Sequence, residues 1–180
     1  MIEALLLRHD PANGFAYRRR ITPLERHANP DHTARLLAHL QEDNDRHLVH
    51  STSWRATDNG HIVLTYLIHP DPDPGQPALP LANPHDIAHS DRPAHPTPPT
   101  LQLEHVAAHA IRHLAFLGRT DPTVTAHLAH RPHTQQALSA VTPIPAGQLY
   151  IECDQPRSNE QRLQPQGGAS ACTATTEELG

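Results

Sequence analysis

The sequence predicts an α+β domain: a small antiparallel sheet centred on a hairpin over 47–68, helices packed on one face of it, and a long proline-rich loop. Three observations predict this. Two β-rich runs within Leu48–Ile68 flank Asp58-Asn59-Gly60, among the strongest short-range hairpin signals. Apolar residues recur at helical spacing over 100–117. The stretch 69–99 is dominated by Pro, Asp, His and Ala. Fixed φ and missing N–H donors exclude a regular element of any length there.

The elements follow in order. Ile2–His9 reads as a strand, ended by the turn residues Asp10-Pro11-Ala12-Asn13-Gly14. Phe15–Ile21 alternates as its hairpin partner and stops before Pro23. Asn29-Pro30-Asp31 opens a helix with Asp31 as the expected cap and Ala34, Leu36, Leu37 and Leu40 as its apolar stripe.

The central hairpin has two possible registers. A two-residue Asn59-Gly60 loop sets Trp54 opposite Thr65 and scatters the apolar residues. A three-residue loop with Gly60 in the left-handed conformation sets Trp54 opposite Leu64, Thr52 opposite Tyr66 and His50 opposite Ile68. The second sorts apolar from polar better and is the expected register, with Trp54 on the buried face.

Thr100–Leu117 is the strongest helix, with Thr100 as cap, Gly118 just beyond its end, and Leu103, Val106, Ala107, Ala110, Leu114 and Leu117 inward. Asp121-Pro122 starts a second helix and 134–141 a third. Gln148–Glu152 is expected as an edge strand. The domain is thus placed at 1–152, with 69–99 a loop within it and 153–180 a disordered tail poor in apolar residues.

Composition narrows the function. The chain is 37% hydrophobic and only 3% aromatic, so the core must be aliphatic. It has no Lys, 14 basic residues that are all Arg, and 17 His, a bias that points to a GC-rich bacterial genome. A net charge of −5 argues against nucleic acid and acidic membranes as partners. Cys153 and Cys172 form no disulfide framework or Cys-x-x-Cys motif. No run approaches the roughly 18–20 apolar residues of a membrane span, and the opening residues do not read as a signal peptide. A soluble cytoplasmic protein is expected.

Two constellations carry chemistry. His105, His109 and His113 lie at i, i+4, i+8 on one helix, spacing that can present imidazoles to a divalent metal such as zinc. No His-Glu-x-x-His and no acidic third ligand accompanies them. His50-Ser51-Thr52 resembles the His-x-Thr strand motif of the two-histidine phosphoesterases. That resemblance implies two such motifs facing across a cleft, acting as acid and base on a phosphodiester, with His50 and Thr52 as catalytic residues here. Ser53 stands where the pattern wants an apolar residue. A second copy would have to be His95-Pro96-Thr97, inside the proline-rich stretch. A buried, hydrogen-bonded histidine explains His50 as well, and on motif completeness it is the preferred account. The expected role is therefore binding or accessory. The alternatives are a metal-assisted hydrolase using the helical histidines and a degenerate phosphoesterase.

Overall fold

A computed structural model describes residues 1–42, 45–90 and 97–145. The expected edge strand over 148–152, the tail, both cysteines and His95 lie outside the described residues. The architecture is α+β. Strands β1 (Ile2–Asp10), β2 (Gly14–Thr22), β3 (Leu48–Ala56), β4 (Ile62–His69) and β5 (Leu79–Pro80) form one sheet in the order β3-β4-β1-β2-β5. All its pairings are antiparallel except β1 with β4. The helices are α1 (Pro30–Leu37), α2 (Leu103–Thr120), α3 (Pro122–Ala129) and α4 (Pro132–Ser139).

Strand β1 is central and buried at every position from Ile2 to Leu7. Its odd side chains, Leu5 and Leu7, pack with Tyr17, Leu67, Ile111, Leu114, Leu128 and Leu138, which places α2, α3 and α4 on that face. Its even side chains, Ala4 and Leu6, pack with Ala38, Leu40 and Ile68, while Ile2 meets Ala34 and Tyr66. Helix α1 therefore covers the opposite face, so the grouping on one face holds for three helices of the four. A strand apolar at nearly every position needs cover on both sides.

Several local expectations are corrected. Asn29, not Asp31, caps α1: its Oδ1 accepts from the Asp31 and His32 N–H groups at 2.8 and 3.2 Å, with Pro30 in the first turn. Asp31 instead accepts the Tyr66 hydroxyl at 2.6 Å. Leu36 points to solvent. Helix α2 starts at Leu103, and His105 Nδ1 reaches back to accept from the Gln102 N–H at 3.1 Å. It then runs through Gly118 to Thr120. A Cβ on Gly118 would sit 2.8 Å from Leu128 Cδ1, so the glycine serves the close approach of α3 rather than a helix stop. Leu79–Pro80, inside the expected loop, pairs with β2.

The hairpin register is correct near its turn, where Trp54 pairs with Leu64 and Ser53 with Thr65. Gly60 has φ +79°, as the three-residue loop requires. Two parts of that expectation fail. Trp54 is 59% exposed, because β3 is an edge strand. Beyond Ser53 a bulge inserts Thr52, so Ser51 pairs with Tyr66 and His50 with Leu67. The extra residue turns His50 to the α2 face.

Candidate ligand-binding cleft

Strands β1 and β4 are parallel, so their C-terminal ends finish side by side. Arg8, His9 and Asp10 close β1, and His69, Pro70 and Asp71 close β4. Around them the β1–β2 turn contributes Asn13 and Gly14, the following loop Pro74, Ala78 and Pro80, and the start of α4 Arg131 and Thr134. Together these enclose an open cleft of about 780 Å³. That is the volume range of small-molecule sites, and the ends of parallel strands are where loops from several elements converge.

The floor is polar and tightly bonded. Asp71 is buried and lies in a bidentate pair with Arg18, whose Nε donates at 2.8 Å and whose second nitrogen makes a shorter contact. Arg8 stands 3.9 Å away, and Asp71 also accepts the Asp73 N–H at 3.0 Å. The bond to Asp71 raises the affinity of the Arg18 guanidinium for its proton. Asp10 is spent on its own turn, accepting from the Ala12 and Asn13 N–H groups at 2.8 and 3.0 Å. Those bonds hold its carboxyl below the usual value.

Behind the floor lies a set of neutral imidazoles. His69 Nδ1 and His127 Nε2 are 3.0 Å apart with rings edge to face, so one donates and the other accepts. Burial pushes His69 down to about 3, helped by repulsion from His127, Arg131 and His47. Burial pushes His127 down to about 4, with Arg131 the next cause. His9 packs its ring on Phe15 at 4.9 Å. Its Nδ1 is buried and meets no partner among the described residues.

The residues singled out from sequence lie elsewhere. His50 Nε2 is 3.3 Å from His113 Nε2, with the rings stacked, so the imidazole beside His50 comes from a helix and meets it directly, not across a cleft. Burial lowers both groups. The buried Thr52 hydroxyl donates to the Thr65 carbonyl at 3.3 Å. Of the three helical histidines, His109 and His113 stack at 6.4 Å between ring centres, while His105 serves the helix start and stands 3.7 Å from Asp86. Burial pushes His109 down to about 4. Among the described residues no group of three or more His, Cys, Asp or Glu side chains is placed to hold a metal ion. Spacing along one helix aligned the three, and their contacts then led them to different neighbours.

Sequence reasoning did not pick out Arg8, His9, His69, Asp71 or Arg131. The readable signal was a charged Arg8-His9-Asp10 end on an apolar strand, directly before a turn. Compared with models of known families, with curated proteins and with solved structures, the chain matches none. Among the described residues no helix is long and apolar enough to cross a membrane.

Proposed function

We propose that this is a binding protein whose ligand is a small organic molecule seated in the cleft at the ends of β1 and β4. The observation that carries the reading is the cleft itself: about 780 Å³, with ionic side chains at one wall and Pro70, Pro74, Pro80, Ala16 and Ala78 as apolar surface. The chemistry of its walls favours binding over catalysis. Asp71 is committed to Arg18, Asp10 to its own turn and His69 to His127. An amide NMR screen of small organic molecules against the full chain tests the reading. Hits should shift residues 8–16 and 69–80, and Ala16→Trp should abolish them without lowering the melting temperature. Hits that shift only other regions, or that survive the filled cleft, refute it.

A second reading is phosphodiester chemistry at His50 and Thr52, with His113 as the second imidazole. What supports it is that α2 brings a second imidazole, His113, next to His50. Hydrolysis of a cyclic or nitrophenyl phosphodiester that is lost in both His50→Ala and His113→Ala would favour it. Equal rates in wild type and both variants would reject it.

A further inference from the structure

We propose that the ligand of this cleft carries a phosphate group, held by Arg8 and Arg131. The inference rests on the binding reading above and gives the ligand its chemical class.

Among the described residues neither guanidinium group that lines the cleft, Arg8 or Arg131, has a carboxylate within hydrogen-bond distance. The two carboxylates of the cleft are occupied: Asp71 by Arg18, and Asp10 by backbone N–H groups and the Asn13 amide. Its two guanidinium groups are served by neutral acceptors. Arg8 donates to the carbonyls of Pro74 and Gln76, and its carboxylate neighbour is Asp71 at 3.9 Å, already bound to Arg18. Arg131 donates to the carbonyls of His127 and Arg46, both at 2.8 Å. No carboxylate lies within ion-pair distance of Arg131 among the described residues. Burial disfavours its charged form. A partly buried cation bonded to carbonyls keeps its full charge and lacks a counter-ion, a costly arrangement unless an anion arrives.

One further observation points the same way. Helix α4 begins at Arg131 without a side-chain cap on its first turn, so the positive end of its dipole adds to the field. The two guanidinium groups, rather than the helix end, form the site.

The donor arrangement separates phosphate from carboxylate. Arg8 comes from β1 and Arg131 from the junction of α3 and α4. One guanidinium fork satisfies a planar carboxylate. Donors arriving from separate elements suit a tetrahedral dianion, whose oxygens point in different directions. The proline and alanine wall then faces the organic part, which makes the ligand a phosphate ester.

The test uses the full chain at pH 7.5 and constant ionic strength, with glycerol 3-phosphate, glycerol and succinate as probes, read by titration calorimetry and amide NMR. Glycerol 3-phosphate should bind and shift residues 8–16 and 69–80. Glycerol should not bind, and succinate should bind about tenfold more weakly. Arg131→Gln should weaken glycerol 3-phosphate about tenfold, the scale of one lost charge-assisted bond. Because Arg131 also holds the Arg46 carbonyl, Arg8→Gln serves as a second variant on a separate element; it too should weaken binding, with an unchanged melting temperature. Equal binding of glycerol or succinate overturns the phosphate inference and leaves the cleft reading standing. Phosphate-ester binding that shifts only other regions overturns both. No binding of glycerol 3-phosphate overturns the inference alone, since the screen with the filled-cleft variant judges the cleft separately.

Discussion

Glu3 offers the sharpest test of what holds the sheet together. Its carboxylate is fully buried on the central strand. Oε1 accepts from Arg19 Nε at 2.6 Å and from Arg55 Nη2 at 2.7 Å, and Oε2 from Arg55 Nη1 at 2.7 Å and the Thr65 hydroxyl at 2.9 Å. The cluster ties β2 and β3 to β1 across the sheet face. Burial alone would raise the Glu3 pKa, but the bonds from Arg55 and Arg19 outweigh it and hold the group below its ordinary value. Glu3→Ala deletes the shared partner and strands two guanidinium groups. Arg19 is 38% exposed at its side chain and can turn to water, whereas Arg55 at 17% cannot do so freely. The cost is that of breaking one buried pair, about 3–5 kcal/mol, a large share of the roughly 5–15 kcal/mol that a domain has. Glu3→Leu should cost as much, because the stranded charge and not the lost volume dominates. Urea unfolding at pH 7 reads both variants. Because the folded pKa is lowered, this stabilisation is present above the unfolded value and lost as pH falls through the folded one, below about pH 4.3. A loss under 1 kcal/mol in Glu3→Ala would show that the bonds only offset the desolvation of their own charges.

Three other outcomes are expected. Gly118→Ala should lower the thermal midpoint, although alanine favours a helix, because the Leu128 methyl 2.8 Å from the new Cβ is itself buried and overpacking costs about 1–3 kcal/mol; a raised midpoint would mean α3 can shift away. Leu114→Ala should cost about 2–5 kcal/mol in denaturant unfolding since Leu114 is fully buried, and His105→Ala less than half of that; equal effects would mean a different buried stripe. His69, His109 and His127 have lowered folded pKa values, so their stabilising effect is complete above the unfolded value near 6.5 and falls as acid approaches their folded values of about 3–4. The melting temperature should therefore drop between pH 7 and 5, before Glu3 contributes, and less steeply in His69→Phe; a flat profile over that range would refute neutral burial.

Much of the fold was legible because local and long-range signals agreed. Asp58-Asn59-Gly60 set a three-residue loop, and the pairing next to it is the one that apolar sorting favours. Sorting then failed farther out, because it assumes an unbroken period of two, and nothing in Ser51-Thr52-Ser53 announces a bulge. Trp54 was expected inside because apolar residues usually are, but position in the sheet decides burial and β3 lies at the edge. The run Ile2–Leu7 did carry a signal for two-sided burial: apolar residues at five of its six positions leave no wet face. The cleft was harder to see. Arg8 on β1 and Asp71 just past the end of β4 meet through the parallel pairing of those strands, a contact across some 60 residues of chain that no local pattern encodes.

Two close pairs show what the fold does with four of the 17 histidines. His50 meets His113 and His69 meets His127, each pair joining the β3–β4 hairpin to a helix above it. An imidazole pair at such a junction gives each ring a hydrogen-bond partner inside a mainly apolar core. The bulge at Thr52 makes the first pair possible: without the extra residue His50 would face Ile68 and α1, and His113 would have no partner on β3. The Thr52 hydroxyl, bonded to the Thr65 carbonyl across the strand pair, gives the bulged residue a fixed position. Thr52 thus shapes the hairpin that presents His50, which accounts for a threonine two residues after a histidine on grounds independent of any phosphoester chemistry.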